Sequence, residues 1–235
     1  EVQADWARTI LSRLPRRDLL ECEGFFPIFA DGSLLEGSAR REGTKALRDK
    51  GQGLMWTTVF AGPLVAAQAL AGEGEGEQSL VRRLLPQAME AVIRPLGLED
   101  KALFLADSLH GVGPTLDVVE AQELSYVVGA GALRETDRVL SERSEIEWHE
   151  LGAKPQRGWA ESAVCSCWLQ CADWPVKRLL VGRRVRREGE MLPIFYGVLT
   201  NLRPEDLDVA PGREFAEKVW RLYDAKGRME LSYKE

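Results

Sequence analysis

Two short apolar runs that each end in Ala-Asp constrain this chain most. Phe25-Phe26-Pro27-Ile28-Phe29-Ala30 stops at Asp31-Gly32-Ser33, and Ala102-Leu103-Phe104-Leu105-Ala106 stops at Asp107. Runs of this length without polar alternation read as buried strands, apolar on both faces. Between them, Ser38 to Ala46 and Leu54 to Ala61 read as two further strands separated by Asp49-Lys50-Gly51-Gln52-Gly53, which makes an antiparallel meander with the first run. Gly72 to Glu77 reads as a loop, and Gln78 to Ile93 as a helix with Leu80, Leu84, Leu85, Ala88 and Val92 on one side.

The flanking segments complete an α/β pattern. Glu1 to Leu20 reads as a helix, a break at Pro15 and a short helix. After Asp107, the pattern gives a helix at Asp117 to Gln122, a strand at Tyr126 to Ala130 and a polar stretch around Glu145, Glu147, His149 and Glu150. Trp159 to Gln170 and Val176 to Arg187 alternate as the hairpin of an inserted β-subdomain, and Pro193 to Thr200 adds one more strand. A helix from Arg213 to Ser232 closes the chain, with Phe215, Val219, Leu222 or Tyr223, Lys226 and Glu230 recurring every three or four residues. With 235 residues, 45% hydrophobic and 29% charged, the expectation is one folded core carrying an insertion.

Other classes fall away on composition. The longest apolar stretch, Leu54 to Ala71, is broken by Thr57, Thr58, Pro63 and Gln68, so no membrane span and no membrane partner is expected. The amphipathic start is unlike a signal peptide, and its first residue, Glu1 rather than Met, reads as that of a fragment. Cys22, Cys165, Cys167 and Cys171 are too few for a disulfide scaffold, which favours a reducing, cytoplasmic compartment. A formal charge of -6 excludes a uniformly basic coat, yet Lys177, Arg178, Arg183, Arg184, Arg186 and Arg187 gather on one hairpin, where they are candidate contacts for DNA phosphates. The competing reading of that cluster is a solvated ribbon.

Parallel pairing of the two Ala-Asp strands would set Asp31 and Asp107 side by side, which is a metal site in outline. Mg²⁺ or Mn²⁺ takes hard oxygen ligands, and two ions roughly 3.5–4 Å apart need a bridging carboxylate plus one more for each ion. Glu230 supplies the third, one turn beyond Lys226 and two beyond Tyr223 on one face of the closing helix. The three clustered cysteines and Trp159, Trp168 and Trp174 read as core packing.

Four segments carry a family resemblance: Phe29-Ala30-Asp31-Gly32-Ser33-Leu34, Leu103-Phe104-Leu105-Ala106-Asp107-Ser108, Tyr196-Gly197-Val198-Leu199-Thr200-Asn201-Leu202, and the run from Val219 to Glu230. In this order they resemble landmarks of the DDE transposases of bacterial insertion sequences, over about Phe25 to Glu230. The resemblance implies a ribonuclease-H-like mixed sheet, with one Asp on the first strand, one ending the fourth and a Glu on a late helix, all holding the catalytic metals. Here these are Asp31, Asp107 and Glu230. The last segment is similar to the signature Tyr, two residues, Arg, three residues, Glu, six residues, Lys, of the group with a β-rich insertion. Tyr223 and Glu230 match, and Tyr223 and Lys226 become DNA contacts by resemblance. Lys226 replaces the signature Arg and so lacks its bidentate fork. The signature Lys would fall two residues past Glu235, and Ser108-Leu109-His110-Gly111 departs from the pattern usual after the second Asp.

The expected organisation is an N-terminal helical segment (1–24), a ribonuclease-H-like core (25–130 and 192–235) and a β-rich insertion (131–191). The implied function is metal-dependent cleavage and strand transfer at transposon ends, with two Mg²⁺ or Mn²⁺ ions, by a homodimer on double-stranded DNA in the cytoplasm, associated with the nucleoid. The alternatives are a non-catalytic DNA-binding transposase remnant and a metal-dependent nuclease of the same fold.

Overall fold

The computed structural model describes residues 2–20, 22–37, 45–47, 51–72, 75–131, 134–151 and 159–232. These divide into two compact units, residues 1–105 with 114–124, and residues 106–113 with 125–235. Each mixes helices with strands.

In the first unit, α1 (Val2–Leu11) and α2 (Arg16–Leu19) precede β1 (Phe26–Gly37), β2 (Lys45–Leu47), β3 (Gly51–Ala61), β4 (Leu64–Leu70) and α3 (Glu77–Ala88). Strand β3 is the hub, antiparallel to β1, β2 and β4. On its other side β1 pairs in parallel with β5 (Ala102–Ala106). An antiparallel meander whose first strand is the parallel neighbour of the fourth core strand is the ribonuclease-H-like order, so the α/β expectation holds.

The pleat assigns the two faces of β1 and β3. Ile28, Ala30, Thr57, Val59 and Ala61 are buried on one face. Helix α3 packs on β3 and β4 with Leu80, Val81, Leu84 and Leu85 buried, and the side chain of Glu77, its first residue, lies directly over Gly32. Phe29 and Phe60, opposite each other in register, stack at 4.9 Å on the other face. Both faces of β1 are therefore apolar up to Ala30, and the polar side chains begin at Asp31.

The second unit is an antiparallel array in the order β6 (Ser125–Gly129), β10 (Ile194–Thr200), β9 (Arg178–Arg187), β8 (Trp159–Leu169), β7 (His149–Glu150). Helix α5 (Arg134–Ser141) lies over two glycines paired in register, Gly182 and Gly197. A Cβ at Gly182 would stand 2.4 Å from Leu140 Cδ2, and one at Gly197 would stand 3.0 Å from Thr136 Cγ2. Helix α6 (Arg213–Ser232) packs on β6, β8, β9 and β10, burying Phe215, Ala216, Val219 and Leu222. The Thr200-Asn201 landmark ties β10 to β6. Thr200 Oγ1 donates to the Tyr126 carbonyl at 2.6 Å, and Asn201 Oδ1 accepts the Tyr126 N–H at 2.9 Å.

Strand β5 and helix α6 have the bounds read from the sequence, and the β8–β9 hairpin is within two residues of them. Several elements differ. Of the strand expected at Ser38 to Ala46, residues 38–44 lie outside the described residues, and Lys45–Leu47 is a strand. Gly51 to Gly53, expected in a turn, begin β3. Strand β4 and helix α5 were not expected. The helix expected at Asp117 to Gln122 is α4 (Gly113–Ala121). No helix among the described residues is long and apolar enough to cross a membrane.

Candidate active site

Asp31 sits within β1, exposed, opposite Thr58 of β3. Asp107 follows β5 directly, also exposed, and organises the turn after it. Its Oδ1 accepts the Leu109 N–H at 2.9 Å and its carbonyl accepts the His110 N–H at 3.2 Å, the arrangement by which an Asp closes a turn on its own backbone. Glu230 lies in α6, and its side chain is outside the described residues. Asp31 thus belongs to the first unit, and Asp107 and Glu230 to the second. Among the described residues no group of three acids, histidines or cysteines stands ready to hold a metal ion.

Within the second unit, α6 is brought to the Asp107 turn by Tyr223. A Cβ placed on Gly129 of β6 would stand 2.9 Å from the Tyr223 hydroxyl and 2.8 Å from the backbone nitrogen of Ser108. Only glycine lets the tyrosine tip and the turn converge there. Lys226, one turn further along α6, is buried, with 8% of its surface exposed.

The cationic hairpin is divided by the pleat of β9. Arg184 and Arg186 are on one face, and Arg183 is on the other. Arg184 reaches Glu145 at 2.6 Å and Glu150 at 3.7 Å, and its guanidinium covers the Trp148 ring at 5.0 Å. Arg186 grips Glu161 with two nitrogens, through Nε at 3.1 Å and through Nη2. Hydrogen bonds from Arg184 and Arg186 hold the Glu145 and Glu161 carboxyls below the usual carboxylate range. Arg183 lies 3.7 Å from Asp224 of α6, and Arg187 lies 4.0 Å from Glu190. Arg178 is buried, 3% exposed, with its guanidinium 5.0 Å from the Trp174 ring centroid. Lys177 is exposed. The six cations that look like one patch in the sequence are therefore four arginines with acid partners, divided between two faces, one buried arginine and the exposed Lys177.

Of the three tryptophans read as core packing, Trp174 is buried beneath Arg178, Trp168 is 63% exposed and so lies outside the core, and the side chain of Trp159 is outside the described residues. All four cysteines are buried, and none is disulfide-bonded. Cys165 and Cys167 hydrogen-bond to each other, which pushes the Cys165 thiol up and holds the Cys167 thiol down. The sequence reading missed Gly129 and Trp220. The spacing of Trp220 three residues before Tyr223 was the available signal for the latter.

No family model and no curated protein matches the chain. Among solved structures it is similar to a Mos1 mariner paired-end complex with Mn (16% identity, TM-score 0.33, covering 53% of this chain and 40% of that one). It is also similar to a piggyBac transposase synaptic complex with hairpin DNA (13% identity, TM-score 0.43, 95% and 47%). A Mos1 transposase paired-end complex with left transposon end gives 18% identity and TM-score 0.32, over 54% of this chain and 42% of that one. These are low-identity structural likenesses to transposases, and this chain spans less than half the length of each.

Proposed function

We propose that this chain carries the catalytic core of a DDE transposase of the insertion-sequence type, which cuts and joins DNA at transposon ends as a homodimer on the duplex. The observation that carries the reading is the register of β1 and β5. Phe29 stands opposite Leu105 in a parallel pair, and each strand reaches its aspartate two residues later. Two parallel apolar strands that each run into an aspartate support the reading of Asp31 and Asp107 as metal ligands. On this reading residues 25–130 and 192–235 form the core, residues 1–24 precede it and residues 131–191 are a β-rich insertion.

Asp31, Asp107 and Glu230 would hold two Mg²⁺ or Mn²⁺ ions, for which carboxylate oxygens are the fitting donors. Bound there, the ions would activate a water and neutralise charge on the scissile phosphate. The chain's own residues supply position. The Asp107 turn is closed by its own carboxylate, and Tyr223 on α6 abuts that turn. The test is cleavage of end-labelled duplex DNA with Mn²⁺, with Mg²⁺ and with a chelator. Cleavage is expected only with metal, and joining of a free 3′ hydroxyl to a second duplex separates a transposase from a nuclease of the same fold. DNA binding without metal-dependent cleavage would overturn the catalytic reading in favour of a binding remnant.

The hairpin cations are proposed as backbone contacts, with Tyr223 and Lys226 as contacts near the site. Exposed ion pairs contribute about 0–1 kcal/mol each, so a phosphate can take an arginine from its glutamate at little cost. Replacing Lys177, Arg186 and Arg187 together by Gln is expected to flatten the slope of log K against log salt by roughly 2–3, because each lost phosphate contact removes about 0.9. Arg178, Arg183 and Arg184 stay, since they pack on Trp174, Trp220 and Trp148. A slope equal to that of the unmodified chain would assign the cluster to sheet stability alone.

A further inference from the structure

The environment of Tyr223 extends further than the signature resemblance accounts for. Trp220 meets its ring edge-on, with centroids 5.7 Å apart and planes at 88°. The Arg183 guanidinium lies 5.5 Å from the Trp220 centroid and 3.7 Å from Asp224, with its Nε directed at Ser162 Oγ at 3.4 Å. At the far end, the Tyr223 hydroxyl and the Ser108 nitrogen converge on Gly129. Ser108 follows Asp107, whose carboxylate accepts the Leu109 N–H. A packed series therefore leads from β9, through one face of α6, to the turn that bears the carboxylate, and every member of it belongs to the second unit.

Trp220 is in an unusual state for an indole. It is 7% exposed, and its Nε1–H is buried with no hydrogen-bond partner among the described residues. Buried tryptophans ordinarily satisfy that donor, and leaving it unpaired is unfavourable. Its ring lies instead against the Arg183 cation and at right angles to the Tyr223 ring.

We propose that Arg183 and Trp220 are positioning residues: they press the Tyr223 hydroxyl against the Ser108 and Gly129 backbone and thereby fix the Asp107 carboxylate. What that carboxylate does chemically rests on the transposase reading; the bracing itself does not. Cation–π and edge-to-face contacts are directional, so they set the ring angle as well as its depth. A reacting group displaced by about 1 Å can lose on the order of 10²-fold in rate, so such a brace has a consequence at the site.

The experiment uses the full chain with Trp220→Leu, Trp220→Phe and Tyr223→Phe. The first readout is metal-free: hydrogen exchange of the Leu109 amide, followed by NMR, reports the turn directly. Trp220→Leu is expected to accelerate it about tenfold and to raise the Mn²⁺ concentration for half-maximal cleavage by about fivefold, with KM for DNA within about twofold. Trp220→Phe keeps the aromatic face and loses the unpaired donor, so it is expected to restore both readouts to within about twofold of the parent. Tyr223→Phe deletes only the hydroxyl and is expected to accelerate Leu109 exchange about threefold, which tests the brace even where Trp220→Leu does not fold. Unchanged Leu109 exchange in a folded Trp220→Leu or Tyr223→Phe chain would overturn the proposal. If the exchange responds while Asp107→Asn leaves cleavage intact, the brace stands and the transposase reading is the one that fails.

Discussion

Asp107→Asn is expected to lower metal-dependent DNA cleavage by about 10³-fold or more while leaving folding and DNA binding close to those of the parent chain. A metal ligand that stabilises charge in the transition state is worth several kcal/mol, and about 4 kcal/mol corresponds to 10³ in rate. The substitution suits this position because of what Asp107 does locally. Its Oδ1 accepts the Leu109 N–H at 2.9 Å, and an asparagine carbonyl oxygen accepts the same bond. The turn is therefore kept, and only the negative charge is removed. The measurement is single-turnover cleavage of an end-labelled duplex in Mn²⁺, beside a binding titration of the same duplex. A variant that cuts within tenfold of the parent would remove Asp107 from the site.

The features that could be read from the sequence are those whose pattern is contained in one segment. Strand β5 is five buried residues in a row, and α6 repeats its apolar positions over twenty residues, so both elements stand out without knowledge of their neighbours. Strand β4 did not stand out because only Gly62 and Pro63 separate it from β3, which makes two strands look like one apolar stretch. Helix α5 has just eight residues, of which Thr136 and Leu140 are buried, too few to set a period. The candidate site divides the same way. Asp31 and Asp107 were visible as strand endings, whereas the bracing of Tyr223 depends on Gly129, Arg183 and Ser108, which are scattered in the chain and meet only on folding. The hairpin cations misled for a related reason. Their partners Glu145, Glu150, Glu161 and Asp224 are distant in sequence, and the period of two that puts Arg183 on one face and Arg184 on the other is hidden when charge is merely summed.

The same substitution, Gly→Ala, is expected to act in opposite directions at Gly111 and Gly227. At Gly227, exposed in α6, a new Cβ meets nothing within 4 Å, and alanine is the better helix residue by about 0.8–1.0 kcal/mol, so the melting temperature is expected to rise by roughly 2–4 °C. At Gly111 the new Cβ would lie 2.1 Å from the carbonyl oxygen of Gly129, 3.2 Å from its carbon and 3.4 Å from the Ala130 Cα. These are backbone atoms of a paired strand, Gly129 being opposite Val198 in register, so no side-chain rotation relieves the overlap. Either β6 leaves its partner or the turn after Asp107 is displaced. Overpacking of this kind costs about 3 kcal/mol, which in a chain of this size lowers the melting temperature by roughly 6–12 °C. Whichever element gives way carries the effect to the site, since Ser108 and the Tyr223 hydroxyl both rest on Gly129. Cleavage by Gly111→Ala is therefore expected to fall even at temperatures where the chain stays folded. Thermal melts of the two variants beside the parent decide the matter, and a Gly111→Ala chain that melts with the parent would mean that the turn and β6 do not approach one another this closely.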